Sequence, residues 1–254
     1  MKTIGIGITT RNRSRILDIT LNHFDVYTPD KSKFKFFLWN DTDDQEELNK
    51  YNSIYEKYPF VEYTNCVERK GIAKAKNECI KQLNQCDFIF LFDDDCFPKA
   101  EGWAEYYIET STTHKIDHMM HLMTIMDFKC QNEYITEYNS CMGVMLFFTN
   151  HALKILGGYD SRFDIYGYEH CQMSSRAFKA GLTVTRGSYC TPNNTCDFIY
   201  SLDIDWNHRG ISPPLVDMNT VKYNSSLIGD ESKIESFIEN NSKYMNEFEI
   251  YYEP

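Results

Sequence analysis

In the sequence FIFLFDDD, residues 88–95, five consecutive apolar residues directly precede three aspartates. Such a run predicts a strand that is buried on both faces, as in the centre of a parallel sheet. Because side chains alternate along a strand, we expect Asp93 and Asp95 to point to one side and Asp94 to the other. Open α/β sheets bind ligands at the carboxyl ends of their strands, so this stretch predicts a binding site.

The three carboxylates indicate what that site would bind. Oxygen ligands favour Mg²⁺ or Mn²⁺ over softer metals, and these ions often carry the phosphates of a substrate. We therefore predict that Asp93 and Asp95 hold one of these two ions. A solvated acidic turn is the alternative interpretation of the same residues, and the rest of the chain has to decide between the two.

Composition restricts the class of protein. The chain has 254 residues, of which 42% are hydrophobic and 25% charged, enough for one large α/β domain with a core. A net charge of −11 disfavours a large nucleic-acid partner or an anionic membrane surface, because both attract basic proteins. The sequence contains no apolar membrane span, targeting signal or CxxC pair among its nine cysteines. We expect a cytoplasmic protein with reduced thiols and no zinc.

Strand and helix patterns alternate along residues 1–187. Strands are predicted at residues 3–10, 34–39, 60–63, 88–92, 117–126, 143–148 and 182–184. Helices are predicted at residues 16–24, after 43, and at 72–83, 103–108, 150–156 and 169–180, with a turn at 96–99. This alternation predicts one α/β domain over residues 1–187, followed by an irregular C-terminal extension, residues 188–254, that packs on it.

Two features of these elements have competing interpretations. Gly5 and Gly7 resemble the start of a dinucleotide-binding fingerprint, but Thr10 stands where its third glycine would be. The helix after Gly71 begins with basic side chains, which is unfavourable for its dipole. Those side chains either bind an anion or form a solvated basic face.

Four segments resemble, in the same order, the nucleotide-sugar glycosyltransferases of the GT-A fold, most closely glycosyltransferase family 2. They are residues 6–13, the pair at 40–41, the Gly-x-x-x-Ala-x-Asn pattern at 71–77 and the DxD at 93–95. Residues 157–176 are similar to the Gly-Gly-Phe-Asp…Gly-Gly-Glu-Asp…Arg segment of galactosyl- and N-acetylgalactosaminyl-transferases. The resemblance covers about residues 3–187. It implies a GT-A, Rossmann-like fold with a mixed, mainly parallel sheet flanked by helices.

The resemblance also implies a reaction, the transfer of a sugar from a nucleotide-sugar, with UDP-sugar as the expected donor, to a hydroxyl of an unidentified acceptor. Mg²⁺ or Mn²⁺ on Asp93, Asp95 and His208 would neutralise the leaving diphosphate, although His208 could equally be a surface residue. The donor-binding residues that it implies are Thr9, Arg11, Asn12, Asp41, Lys70, Gly71, Lys74, Asn77, Asp93 and Asp94.

An inverting transferase also needs a base for the acceptor hydroxyl. The family's Glu-Asp pair aligns with Glu169 and His170, so the chain departs from the pattern at His170. A histidine can accept a proton near neutral pH, while Glu169 could bind or deprotonate the acceptor or simply start a helix. Acceptor contacts are expected from Trp103, Tyr166 and Tyr168, with packing in the core as the alternative for each.

Other activities fit the sequence less well. A nucleotidyltransferase would have a Gly-rich loop after the first strand, where this chain has TTRN at residues 9–12. A phosphatase with an aspartyl nucleophile would have Asp-x-Asp-x-Thr, but position 97 is Phe. A carbohydrate- or nucleotide-binding module without catalysis stays open because of His170. His118 and His121 fit core or rim packing better than metal binding.

Overall fold

A computed structural model describes residues 2–66, 68–121, 128–139, 141–163, 167–184 and 189–202. The helices and strands follow one another along the chain as α/β units, with shorter strands towards the end. In chain order they are β1 (Ile4–Thr10), α1 (Ser14–Tyr27), β2 (Phe34–Asn40), α2 (Gln45–Lys57), β3 (Val61–Asn65), α3 (Ile72–Leu83), β4 (Phe88–Asp93), β5 (Cys96–Pro98), α4 (Trp103–His114), β6 (His118–Met120), β7 (Phe128–Gln131), β8 (Ile135–Tyr138), β9 (Met145–Thr149), α5 (Asn150–Leu156), α6 (Glu169–Lys179), β10 (Tyr189–Pro192) and β11 (Ile199–Ser201).

The main sheet has six strands in the order β3-β2-β1-β4-β9-β6. Five of them run parallel, and β9 runs antiparallel to its neighbours β4 and β6. Helices cover both faces, with α1, α2 and α4 packed on one core and α3, α5 and α6 on the other. This arrangement confirms the predicted mixed, mainly parallel sheet flanked by helices.

Strand β4 is central and buried on both faces, as its sequence predicts. Phe88, Phe90 and Phe92 pack into the core beneath α1 and α4, while Ile89 and Leu91 pack into the core beneath α3. Each buried side chain of this size stabilises the fold by roughly 1.5–3 kcal/mol. The strand therefore holds the residues at its carboxyl end in a rigid position.

Gly7 in β1 has a packing role. A Cβ added at Gly7 would lie 2.7 Å from the Cβ of Cys79, and one added at Gly5 would lie 3.0 Å from that of Leu83. Both glycines therefore allow α3 to pack closely on β1. The close packing of α3 on β1 explains why both positions are glycine, and no bound dinucleotide is needed to explain them.

Three predictions about the elements need correction. Residues 96–99 are not simply a turn, because β5 pairs antiparallel with β11. Residues 182–184 form no strand, although the Leu182 carbonyl accepts hydrogen bonds from the backbone N–H groups of Asp117 and His118. The region after residue 188 is not wholly irregular, since β10 joins β8 and β7 in a three-stranded antiparallel sheet. Residues 203–254 lie outside the described residues, so the division into domain and extension stays a prediction.

The helix boundaries follow local signals. Asp44 caps α2 by accepting a hydrogen bond from the Glu47 N–H, and Thr149 caps α5 in the same way through Ala152. Helix α5 ends at Gly157, whose φ of 69° is in the left-handed region. Among the helices of the described ranges, none is long and apolar enough to cross a membrane.

Candidate active site

Three aspartates and two cations meet at the carboxyl end of β4. Lys76 Nζ lies 2.8 Å from Asp93 Oδ1, and Arg13 Nη1 lies 2.8 Å from Asp95 Oδ2. The Arg13 guanidinium also contacts the Asp94 carboxylate. The predicted alternation is therefore wrong, because Asp94 and Asp95 share one cation while Asp93 pairs with another. The physical reason is that β4 ends at Asp93 and the chain turns immediately afterwards.

Asp94 lies inside the fold, with protein side chains as its partners. It is fully buried, and besides Arg13 its carboxylate accepts a hydrogen bond from the Thr10 hydroxyl. Burial raises the pKa of Asp94 to about 7, although the Arg13 guanidinium acts in the opposite direction. A carboxylate with these partners does not face a ligand, which corrects the expectation that Asp94 binds the donor.

Lys76 is a site residue that the sequence analysis did not select. Its side chain is only 1% exposed, and its ammonium also donates a hydrogen bond to the Gly143 carbonyl at 3.1 Å. Burial alone would lower the pKa of Lys76, but the carboxylates of Asp93 and Glu169 outweigh it and raise the pKa. The signal was present in the helical period, because Lys76 lies three residues before Cys79, on the buried face of α3.

Asp93 remains accessible despite this ion pair. Its side chain is 29% exposed, whereas that of Lys76 is almost completely covered. Burial of its inner part raises the pKa of Asp93; Lys76 opposes this rise, and the charges of Asp95 and Glu169 add to it. Loss of solvent around its buried oxygen is thus the main reason that the pKa of Asp93 stays raised beside Lys76.

Glu169 and His170 form an ion pair at the start of α6. The Gly167 N–H donates to Glu169 Oε2 at 2.9 Å, and His170 Nδ1 donates to Glu169 Oε1 at 3.1 Å. The positive φ angles of Gly167 and Tyr168 produce the sharp turn that aims Glu169 inward. Burial would raise the pKa of Glu169, but the His170 imidazolium and Lys76 outweigh it and lower the pKa.

The same pair keeps His170 protonated. Burial would lower the pKa of His170, but the Glu169 carboxylate outweighs it, and the pKa rises to about 10. An imidazolium has no free lone pair to accept a proton. A protonated His170 cannot accept a proton, so this ion pair favours Glu169 as the base, and the identity of the base stays a prediction.

The ends of β1 and β2 are joined by polar contacts. The Thr9 hydroxyl is buried and donates to the Phe92 carbonyl at 3.5 Å. Asn12 has a φ of 53°, and its N–H donates to the Thr42 hydroxyl at 2.9 Å. Arg11 Nη2 pairs with Asp43 at 3.0 Å on the surface. Three of the predicted donor-binding residues thus lie at the carboxyl ends of the parallel strands.

Asp41 holds the start of α3. Its two carboxylate oxygens accept hydrogen bonds from the backbone N–H groups of Lys70 and Gly71, at 2.8 and 2.9 Å. The Lys70 ammonium pairs with Glu78 at 3.0 Å and lies 4.8 Å from the centre of the Trp39 ring. Lys74 is exposed on the same helix. The structure therefore brings Asp41, Lys70 and Gly71 together and leaves Lys74 apart.

Asn77 and Trp103 are not where the sequence analysis expects them. The buried Asn77 amide donates to the Tyr159 carbonyl at 2.8 Å and accepts from the Tyr159 N–H at 2.6 Å. It therefore fastens the segment after α5 to α3 and does not face a donor. Trp103 is 1% exposed, and its Nε1–H donates to the Thr28 hydroxyl. It belongs to the core, so its predicted contact with an acceptor is wrong.

The remaining predicted residues divide into three cases. Tyr168 is exposed beside Glu169, and its contact with an acceptor stays a prediction. Tyr166 and His208 lie outside the described residues. His118 and His121 are buried, as the packing interpretation requires, and burial lowers their pKa values to about 4 and about 3. Within the described ranges, no three His, Cys, Asp or Glu side chains are grouped as metal ligands.

Two sequence comparisons show proteins that this chain resembles. The profile of the family described as the N-terminal domain of galactosyltransferase matches residues 124–196. An uncharacterized glycosyltransferase of Acanthamoeba polyphaga mimivirus is 28% identical over 222 residues, which cover 84% of this chain and 77% of the relative. The family profile includes the turn that positions Glu169.

Solved structures share the fold at low identity. GalNAc-T7, solved with UDP, GalNAc and Mn²⁺, has a TM-score of 0.70 at 14% identity and covers 99% of this chain. S. aureus TarS has a TM-score of 0.59 at 17% identity and covers 79% of the chain. The mannosyltransferase PcManGT from Pyrobaculum calidifontis, in complex with GDP-Man and Mn²⁺, has a TM-score of 0.57 at 12% identity and covers 70% of it.

The chain spans 57%, 36% and 52% of the lengths of those three proteins, respectively. The parallel sheet, the carboxylates at the end of β4 and the structural likeness define a GT-A fold. Both sequence matches are to proteins or domains described as glycosyltransferases, which this chain resembles in sequence as well as in fold.

Proposed function

We propose that the protein transfers a hexose from a UDP-sugar to a hydroxyl group of an acceptor, with a divalent cation bound at Asp93 and Asp95. The observation that carries the proposal is the buried pair of Lys76 and Asp93, set beside Asp95 and Glu169 at the end of β4. This edge of a parallel sheet is where ligands of α/β proteins bind.

The carboxylates suit a hard divalent cation. Asp93 and Asp95 supply oxygen ligands, and a positive ion between them would offset both the desolvation of Asp93, which raises its pKa, and the smaller effect of the Asp95 charge. When bound, Mg²⁺ or Mn²⁺ stabilises the negative charge that grows on a leaving diphosphate. Mn²⁺ in the structures of GalNAc-T7 and PcManGT supports this choice of ion.

The donor would lie along the ends of β1, β2 and β4. Arg11 and Asn12 follow β1, Asp41 follows β2, and the Lys70 ammonium sits over the Trp39 ring nearby. UDP in the GalNAc-T7 structure and UDP-GlcNAc in a TarS structure support a uridine nucleotide. Lys76 would keep Asp93 ionised and turned towards the site.

Glu169 is the residue that we assign as base. Its pKa is lowered, so it is a carboxylate at neutral pH and can accept the proton of an acceptor hydroxyl. His170 holds this carboxylate through Oε1, and the Gly167 N–H holds Oε2. In this assignment His170 is a positioning residue, and the exposed Tyr168 ring next to it would contact the acceptor.

A ligand-dependent unfolding experiment, followed by a turnover assay, tests the proposal. UDP-sugars should raise the melting temperature of the full chain only with Mn²⁺ present, since binding at a hundredfold excess over Kd adds about 2.7 kcal/mol. Asp95→Asn should abolish the shift, whereas Glu62→Gln, an exposed acid on the edge strand β3, should retain it.

The turnover assay measures UDP release with candidate acceptor sugars present. Mn²⁺-dependent release from the UDP-sugar that gave the shift would support transfer. Binding without release under all acceptor conditions would favour a nucleotide-binding module, and no nucleotide-dependent shift with either metal would contradict the proposal outright.

A further inference from the structure

Two thiols meet next to the Glu169–His170 pair. Cys171 lies in the first turn of α6, and Cys141 lies in the loop before β9. Cys141 Sγ lies 3.9 Å from the carbonyl oxygen of His170, the residue directly before Cys171. Cys141 Sγ also lies 3.3 Å from Ser174 Oγ, on the next turn of α6. All nine cysteines, which are all among the described residues, are free thiols, so both side chains are reduced.

The two members of the pair differ in their surroundings. Cys171 is partly exposed and directly follows His170 at the start of α6. Cys141 is buried against the His170 carbonyl and Ser174. One cysteine is therefore partly exposed next to His170, and the other is covered.

This environment favours a thiolate at Cys171. The hydrogen bond from Cys141 and the His170 imidazolium lower the pKa of Cys171 to about 5, while burial and the Glu169 carboxylate act in the opposite direction. Burial raises the pKa values of Cys66, Cys79 and Cys190 to about 12. Because the thiolate is the reactive form of cysteine, Cys171 should differ from those three in its chemistry.

We propose that Cys171 and Cys141 form an oxidation site at which a hydroperoxide converts the two thiols into a disulfide. The Cys171 thiolate attacks a peroxide oxygen, the O–O bond breaks, and with one proton taken up the products are a sulfenic acid and water or an alcohol. The Cys141 sulfur then attacks the Cys171 sulfur. The S–S bond forms, the S–O bond breaks, and the hydroxyl leaves as water with the proton of the Cys141 thiol. The two sulfurs lose two electrons and the peroxide gains them.

The position of the site connects it to the candidate active site. The loop that carries Cys141 also contains Gly143, whose carbonyl accepts a hydrogen bond from Lys76. A Cβ added at Gly143 would lie 2.7 Å from the His170 ring, so this loop and the start of α6 are already in contact. The proposal does not depend on the reaction that the protein catalyses, because it concerns only the chemistry of these thiols.

The test treats the full-length protein with stoichiometric hydrogen peroxide and maps all nine cysteines by alkylation and mass spectrometry. We expect a disulfide between Cys141 and Cys171. In Cys141→Ser we expect a sulfenic acid at Cys171 that dimedone traps. The exposed Cys130 is the internal control, because accessibility alone would make it the first thiol to react.

A second measurement, on untreated protein, does not need any variant to fold. At pH 6.5 iodoacetamide should alkylate Cys171 about tenfold faster than Cys130, since only a low-pKa thiol is ionised there. Equal or slower alkylation of Cys171, or peroxide oxidation at Cys130 without a Cys141–Cys171 disulfide, would overturn the proposal.

Discussion

Two cations approach the aspartates at the end of β4 from different elements, and their surroundings differ. Arg13, with Thr10 and Asp94, forms what we call the Arg13 network, in which Asp94 is completely buried. Lys76, with Asp93, Glu169 and His170, forms the Lys76 network, in which the Asp93 side chain is 29% exposed. Asp95 stands between the two. The difference shows that adjacent carboxylates in one short motif can have separate environments, one buried inside the fold and one partly exposed.

The largest loss of activity is expected from a change of Glu169 in the Lys76 network. Glu169→Gln keeps the size of the side chain but removes the proposed base, so kcat for the proposed sugar transfer should fall by about 10²–10⁴-fold. Donor binding, measured by the Mn²⁺-dependent melting shift, should be unchanged. A variant that transfers sugar at the wild-type rate would remove Glu169 from the mechanism.

A change in the Arg13 network should lower the stability of the protein. Asp94→Asn removes one of the two carboxylates that pair with Arg13 and leaves only Asp95, and we expect the unfolding free energy in urea to fall by about 1.5–3 kcal/mol. The matched control is Asp43→Asn, which breaks the surface pair with Arg11 and should cost less than about 1 kcal/mol. Equal losses in the two variants would mean that the buried pair has no special role.

Lys76 and Lys74 provide a comparison within one helix. Lys76→Met removes a charge-assisted contact with Asp93 that is worth about 1.5–3 kcal/mol, so kcat/KM for the donor should fall by roughly 10- to 100-fold. Lys74→Met changes an exposed side chain and should leave the rate unaltered. If both variants keep full activity, the assignment of Lys76 to the site is wrong.

A smaller effect should appear in the pH dependence of stability. His170 has a folded-state pKa raised to about 10, so its pairing with Glu169 stabilises the protein fully below the unfolded pKa near 6.5. This contribution is lost as the pH rises towards 10. The difference in unfolding free energy between wild type and His170→Gln should therefore shrink from pH 6.5 to pH 10, and a constant difference would contradict the ion pair.

Much of this comparison could be predicted from local sequence. The apolar run before Asp93 defines β4, and the helical period of α3 places Lys76 on a buried face. The separation of Asp93 from Asp95 could not be predicted, because alternation ends where the strand ends. The hydrogen bonds of Asn77 also escaped prediction, since their partner, Tyr159, is 82 residues away.

The short antiparallel strands could not be predicted from the sequence either. Residues 128–138 carry β7 and β8, and β10 pairs with β8 across about fifty residues of sequence. Each of these strands is only four residues long, too short for a hydrophobic period to be recognised. Their existence depends on tertiary pairing, which a single sequence does not specify.

The most direct test of the division between the two networks is a calorimetric titration of UDP in the presence and absence of Mn²⁺. Wild type, Asp93→Asn and Asp94→Asn would be compared at a temperature at which all three proteins are folded. We predict Mn²⁺-dependent binding in wild type and Asp94→Asn, and a Kd that is at least about tenfold higher in Asp93→Asn. Wild-type affinity in Asp93→Asn, with binding lost in Asp94→Asn, would contradict it.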